Sequence, residues 1–288
     1  MRILLIGANG QLGQDLLAEL RRTAEHETAA LTHAQIEITD LASVRRALAL
    51  HQLQAVINTA AFHKVDVCED EAERAFAVNT MGARNLALAC RERDLVLVSL
   101  STDYVFSGKK AASYVEDDPV DPINLYGISK AAGEMAIRYV WDKHFIVRTG
   151  ELYGTAGASG KGDNFVELML RLALEGKAIR VVDDQVVTPT STHALAQQIV
   201  ALLDTQGFGT YHATCQGECS WYDFAREIFR QSAMVPALSR QSTAQSGARA
   251  RRPAYSVLDN ARLRGLGLDL MPHWEQALRT YLEARASQ

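Results

Sequence analysis

Three glycines near the start of the sequence, Gly7, Gly10 and Gly13, restrict the fold more than any other feature. Residues 2–6 before them form a short apolar run that reads as a strand. Leu16, Leu17 and Leu20 after them have helical spacing. Strand, glycine turn and helix in that order open a dinucleotide-binding βαβ unit. Gly7 permits the tight turn, Gly10 lets the backbone approach a pyrophosphate, and Gly13 lets helix pack on strand. The helix N-terminus then presents backbone N–H groups to the phosphates.

A βαβ rhythm follows. Residues 28–32 read as a second strand, 36–39 as extended up to Asp40 and Leu41, and 42–51 as a helix. Residues 55–61 read as a buried strand ending in small side chains, Ala60 and Ala61. Residues 69–91 read as one long helix, 95–100 as a strand, 126–140 as a helix and 145–148 as a strand. Alternation of this kind implies α/β architecture, a Rossmann-type doubly wound parallel sheet covered on both faces. Ligands of such sheets bind beyond the carboxyl ends of the strands. Residues 1–150 are therefore expected to be the dinucleotide-binding domain. Residues 151–288 are expected to form mainly a smaller mixed α/β lobe. Within it, Asp163 or Asn164 would cap a helix over 165–175, and residues near 179–204 would return to the first domain, with 179–183 rejoining the sheet as a strand. Residues 155–162 form a glycine-rich loop, expected to act as a lid.

Thr102 follows the strand over 95–100, and Tyr126 and Lys130 stand as Tyr-x-x-x-Lys on the helix expected downstream. That spacing puts tyrosine and lysine on one helix face, a turn apart. The chemistry it suits is proton transfer to a carbonyl oxygen. A free tyrosine titrates near pH ~10, and a neighbouring ammonium favours the phenolate and lowers that value. The threonine hydroxyl can hold the substrate oxygen.

Charge excludes some classes. Net charge is −4, and no basic stripe runs along one segment, which argues against nucleic-acid binding. No apolar stretch reaches the ~20 residues of a membrane span, and the opening stretch is broken by glycine too soon for a signal peptide. Four cysteines without a secretion signal point to free thiols in a reducing cytosol. His212, Cys215 and Cys219 lack an evident fourth ligand, so no metal is expected. Arg240, Arg249, Arg251 and Arg252 cluster in a C-terminal loop where an arginine can grip phosphate.

Taken together, the glycine triplet, Thr102-Asp103-Tyr104-Val105-Phe106, Tyr126 with Lys130, Asn164-Phe165, Asp184-Gln185 with Pro189-Thr190, Ser220-Trp221, and Arg252-Pro253 with Leu258-Asp259 carry a closer likeness. The sequence resembles the dTDP-4-dehydrorhamnose reductase family of the extended short-chain dehydrogenase/reductase superfamily, over nearly its whole length. The resemblance implies reduction of the 4-keto group of dTDP-4-dehydro-L-rhamnose by NADPH, in a cytoplasmic enzyme serving cell-surface polysaccharide synthesis, either monomer or homodimer. It implies that Tyr126 donates the proton, Lys130 holds the nicotinamide ribose and Thr102 binds the carbonyl. It places Gly7, Asn9, Gly10, Gln11, Leu12 and Gly13 at the pyrophosphate, Asp40 and Leu41 near adenine, and Ala60, Ala61 and Lys64 along the ribose and phosphate path. Asn79 falls in the neighbouring helix. Asp103, Tyr104, Val105, Glu151, Asn164, Trp221 and Arg252 are the implied sugar contacts. Two features depart from the family pattern: Glu151 stands where an aromatic residue is common, and the 155–162 loop is longer and richer in glycine. Some relatives hold magnesium at a dimer contact, but no matching acidic set occurs here.

Counting ~20 residues past the glycines reaches His33, in a segment with neither carboxylate nor arginine, so NADPH is expected with NADH possible at little preference. Two rival readings remain. One is a sugar-nucleotide epimerase or dehydratase on this fold; of these, a dehydratase carries a second carboxylate after the aspartate, where this chain has Tyr104. A non-catalytic regulatory subunit, like the β subunit of methionine adenosyltransferase, would not need Thr102, Tyr126 and Lys130 together.

Overall fold

The computed structural model describes residues 1–23, 25–50, 52–156 and 164–287. The first half runs β1 (Arg2–Ile6), α1 (Gln11–Arg22), β2 (Glu27–Leu31), α2 (Leu41–Ala49), β3 (Ala55–Asn58), α3 (Val65–Asp70), α4 (Ala72–Phe76), a π-helical turn (Ala77–Gly82), α5 (Ala83–Glu92), β4 (Val96–Thr102), a 3₁₀ turn (Asp103–Val105), α6 (Leu125–Val140) and β5 (His144–Thr149). The second half runs β6 (Leu152–Tyr153), α7 (Phe165–Leu174), β7 (Ile179–Val182), β8 (Val186–Val187), β9 (Thr190–Ser191), α8 (Thr192–Leu203), β10 (Gly209–His212), β11 (Cys219–Ser220), α9 (Trp221–Gln231), β12 (Leu238–Gln241), α10 (Ala261–Gly265) and α11 (Trp274–Ala286).

Six strands form one parallel sheet in the order β10-β5-β4-β3-β1-β2. Residues on β1 alternate between two cores. Ile3 and Leu5 pack with α1, α7, α8 and α9, while Leu4 and Ile6 pack with α2, α5 and α6. Burial on both faces is why these strands read as continuous apolar runs rather than alternating ones. The chain leaves β1 for β2 on one side and returns for β3 on the other. That reversal opens a crevice beyond the carboxyl ends of β1 and β3, the place where doubly wound sheets bind their ligands.

Several expectations need correcting. Residues 36–39 carry no strand pairing: Ile36 and Ile38 bury as anchors of a turn, and β2 is the sheet edge. The single helix expected over 69–91 is split into α3, α4, the π-turn and α5, because the chain wraps the N-terminal end of α6 before running along it. β7 does not rejoin the central sheet; it pairs in parallel with β12 in a separate two-stranded sheet. Residues 192–203 do return, since α8 packs along α1. The C-terminal part also returns where no return was expected, supplying β10 as the sixth strand beside β5. The 155–162 loop lies largely outside the described residues.

Candidate active site

The glycine turn is built for close approach. Gly7 has φ +83, and a Cβ there would come within 2.5 Å of Thr59 Oγ1. A Cβ on Gly13 would sit 2.3 Å from the Gly7 carbonyl oxygen, so any side chain would push α1 away from β1. Gly10 is the N-cap of α1 and offers no side chain to its first N–H groups, and no acidic residue stands in the first turn. A helix start with neither cap nor carboxylate suits an anion. These residues therefore fit the pyrophosphate of a dinucleotide.

Ala60 and Ala61 follow β3 across the crevice from Gly7, and their segment is braced by Asn79. The Asn79 side chain accepts from Phe62 N (2.9 Å) and donates to the Phe62 carbonyl (2.9 Å) and to Ser129 Oγ (3.0 Å). Lys64 is exposed at the start of α3. The Asp40 carboxylate caps α2 through Ala42 N at 2.8 Å, beside Leu41. Past β2, His33 lies 3.8 Å from the Glu37 carboxylate, so a negative charge stands four residues after His33.

At the ends of β4 and β5 the structure brings Thr102, Tyr126 and Lys130 together. The Thr102 hydroxyl lies close enough to the Tyr126 phenol to draw its pKa down against burial. It also caps the 3₁₀ turn, accepting from Tyr104 N at 3.2 Å and donating to Asp103 Oδ1 at 3.0 Å. Lys130 is buried, and its Nζ donates to the Leu100 carbonyl at 2.6 Å. Asn124 caps α6 through Gly127 N (2.8 Å) and donates to the Arg251 carbonyl (2.8 Å), while Glu69 on α3 accepts from Leu125 N (2.9 Å). The helix bearing the tyrosine is therefore fixed at its start from both halves of the chain.

The expectation that Lys130 lowers the Tyr126 pKa is not met in this structure. Burial pushes the phenol well above its usual range, and the charges of Asp103, Cys68 and Glu151 push the same way against the Thr102 hydroxyl. Burial also pulls Lys130 down to about 8, with Glu134 opposing. Asp103, only 2% exposed, is raised to about 6 by burial, and its Oδ2 has no hydrogen-bond partner.

Of the residues read as sugar contacts, Tyr104 sets its ring edge against Tyr126 at 6.0 Å between centroids. Its phenol is pushed up by burial and then by Glu151 and Asp103, with the positive charge of Arg252 opposing. Glu151 has φ +47, a left-handed conformation uncommon for a residue with a Cβ, and its charge is felt by both tyrosines. Arg252 Nη2 also pairs with Asp66 on α3 at 3.1 Å. Next to it, Arg249 grips both oxygens of Asp70 at 2.6 Å each. Val105 is different: it is fully buried among Phe106, Tyr114, Ala131 and Leu258 and exposes nothing to the cleft. Asn164 caps α7 through Glu167 N and donates to the Gly154 carbonyl and to Gln11 Oε1, which places it beside the glycine turn. Trp221 packs on Phe165 at 4.6 Å between centroids.

His212, Cys215 and Cys219 are not assembled as ligands. His212 Nδ1 lies by the Tyr114 and Asp259 carbonyls and Nε2 by Arg148, and burial pushes both thiols up, Cys215 to about 12. Among the described residues, one group could gather around an ion, Glu25, His26 and Asp204; these flank the start of β2 and the end of α8. Sequence reading missed Ser101, Glu134 and Arg148, a buried trio behind Lys130, and the Asp66–Arg252 and Asp70–Arg249 pairs. The spacing of Glu134, one turn past Lys130, was the available signal.

A parallel doubly wound sheet, an uncapped glycine turn at β1 and a Thr-Tyr-Lys set at β4 and α6 define the extended short-chain dehydrogenase/reductase fold. The family model described as the RmlD substrate binding domain matches residues 1–287, and the chain belongs to that family. It is 44% identical to a dTDP-4-dehydrorhamnose reductase of Streptomyces griseus, over 96% of this chain and 91% of that one. It is 41% identical to the spore coat polysaccharide biosynthesis protein SpsK of Bacillus subtilis, over 99% and 98%. Among solved structures, the dTDP-4-dehydrorhamnose reductase of Bacillus anthracis in complex with NADP superposes with a TM-score of 0.93 at 39% identity, covering 98% of this chain and 99% of that one.

Proposed function

We propose that this chain reduces the 4-keto group of a dTDP-4-dehydro-6-deoxyhexose with NADPH, and that its substrate is dTDP-4-dehydro-L-rhamnose. The observation that carries the reading is the meeting of Thr102, Tyr126 and Lys130 at one strand end, across from the glycine turn. Family membership and relatives named as reductases of this sugar support it. The Bacillus anthracis relative crystallised with NADP supports the cofactor.

When bound, the reduced nicotinamide supplies the hydride. The chain does the rest. Gly7 to Gly13, with Asn9, Gln11 and Leu12, hold the pyrophosphate, and Asp40, Leu41, Ala60, Ala61 and Lys64 flank the remainder of the dinucleotide. Thr102 orients the C4 oxygen. Tyr126 delivers its proton to that oxygen as negative charge develops there. Its raised pKa suits a proton donor: the phenol stays protonated across the neutral range. The Lys130 ammonium stabilises the phenolate left behind. Asp103, Tyr104, Glu151, Trp221 and Arg252 form the sugar-nucleotide side, with Arg252 available to the diphosphate. In this reading residues 1–150 are the cofactor part. The remainder is the sugar part, apart from α8 and β10. Glu37 near His33 is consistent with NADH serving as well. The Bacillus subtilis relative, named for spore coat polysaccharide biosynthesis, supports a product destined for surface polysaccharide; in this reading the enzyme is cytoplasmic and a monomer or homodimer. No described helix is long and apolar enough to cross a membrane.

The test is turnover on a panel of nucleotide 4-keto sugars, followed by nicotinamide absorbance. The expected result is the highest kcat/KM with dTDP-4-dehydrorhamnose. A folded chain that binds NADPH but turns over no member of the panel would refute the reading and favour a regulatory subunit.

A further inference from the structure

Three consecutive residues at the end of β4 each meet one residue of α6. The Leu100 carbonyl accepts from Lys130, Ser101 Oγ donates to Glu134 Oε1 at 2.5 Å, and the Thr102 hydroxyl stands beside the Tyr126 phenol and acts on its pKa. Residues 126, 130 and 134 are spaced one turn apart, so they share one face of the helix. The first two carry the proposed chemistry. The third, Glu134, is 2% exposed and buried with an elaborate set of partners. Arg148 on β5 donates from Nε to Oε1 (2.9 Å) and from Nη2 to Oε2 (2.7 Å), and Arg138 reaches Oε2 at 3.2 Å.

We propose that Glu134, supported by Ser101 and Arg148, is a positioning residue for the reduction: it ties the end of β4 and β5 to the face of α6 that bears Tyr126 and Lys130, and sets a negative charge one turn from the Lys130 ammonium. This rests on the reductase reading above.

Stability alone is a weak reason for such a group, since buried ion pairs are often replaceable by apolar side chains without loss. Its location supplies the better reason. Lys130 is itself buried, and burial draws it toward the neutral amine, to about 8; Glu134 acts against that. Burial also works against ionised Glu134, but Arg148, Ser101 and Arg138 outweigh it and hold the carboxyl below its usual range. The remaining groups around Lys130 do not substitute for Glu134. Tyr126 on α6 is neutral, and the α3 thiol Cys68 acts on Tyr126. The turn after β4 contributes Asp103, which faces Thr102, Tyr104 and Tyr126. The π-turn and α5 present Asn79 and Ala83, which carry no charge, to a small cavity lined also by Lys130 and Glu134. On β5, Arg148 is positive and turned to Glu134, and beyond it His212 is held neutral by burial.

The experiment compares the full chain with Glu134→Gln, with the double variant Glu134→Gln/Arg148→Met, which removes both charges together, and with Glu134→Asp. Lys130 is titrated directly by competitive acetylation read by mass spectrometry, and kcat/KM is measured against pH. Removing a charge about one helical turn away should lower the pH at which Lys130 becomes reactive by on the order of one unit. The alkaline limb of kcat/KM should move with it, roughly a fivefold loss near pH 8 that grows toward tenfold at higher pH, and Glu134→Asp should restore most of both. Tyr126 titrates too high to confuse the reading. Should Glu134→Gln fail to fold, the double variant decides. An unchanged Lys130 titration, or a shifted titration with an unmoved alkaline limb, would overturn the proposal. If the parent chain reduces no sugar, the reductase reading fails on its own, while acetylation still reports whether Glu134 controls Lys130.

Discussion

Replacing Asp103 with asparagine should stabilise this protein at neutral and alkaline pH and change little near pH 4. The carboxyl is 2% exposed, and burial raises it from the usual 3.8 to about 6. It accepts one hydrogen bond, from Thr102. Ser256 nearby draws the value down more than Thr102 does, though without a well-aligned bond, for Asp103 Oδ2 and Ser256 Oγ are both buried without a hydrogen-bond partner. The sign follows from linkage. A carboxyl raised on folding costs stability wherever it is ionised in the native state, which is above pH 6. The cost fades as pH falls through 6 and is gone below the unfolded value near 4. At about 1.4 kcal/mol for each pH unit, the cost at pH 8 is about 2–3 kcal/mol. Asparagine keeps an oxygen for Thr102 and turns an N–H toward Ser256 Oγ, so it avoids the charge and makes use of an idle acceptor. Urea unfolding at pH 8 and pH 4.5 measures the difference. Equal effects at the two pH values, or a loss of stability at pH 8, would refute the account of Asp103 as a strained buried charge.

Tyr126→Phe should lower kcat by roughly 10²–10⁴-fold, the usual value of a general acid, while NADPH binding measured by fluorescence quenching stays within a few-fold. A loss under tenfold with chemistry rate-limiting would remove Tyr126 from its role. Arg252→Leu should raise KM for the sugar nucleotide by about tenfold or more with a smaller effect on kcat, as expected for one charge-assisted contact worth about 1.5–3 kcal/mol; an unchanged KM would mean that Arg252 serves only Asp66 and Tyr104.

What sequence reading could reach was set by locality. The turn at Gly7, Gly10 and Gly13 is decided within a dozen residues, and at Gly7 and Gly13 by sterics that permit no other side chain, so it was legible. Tyr126 and Lys130 were legible because helical spacing is a local rule. The cap of α7 was narrowed to residue 163 or 164 for the same reason, and Asn164 fills it. Failures began where a partner lies far along the chain. Nothing near residues 179–182 says that their neighbour is residues 238–241 rather than the main sheet. Val105 stands in a motif beside residues at the cleft, yet the 3₁₀ turn rotates it into the core. Glu134 showed a spacing but not its partner, since Arg148 comes from the next strand. The pKa of Tyr126 failed for a related reason: a lysine four residues on suggests an electrostatic effect, but burial, a property of the whole fold, is larger.

β10 carries a consequence for how the protein is made. It covers the outer side of β5, a strand buried along its whole length in the finished chain. During translation that side stays bare until residue 212 has emerged, about 60 residues after β5 is complete, several seconds at roughly 5–20 residues per second. For that interval an apolar strand edge is open to other chains. Nor can the first 150 residues be lent to another protein as a portable cofactor module, because the piece that seals them is encoded in the other half.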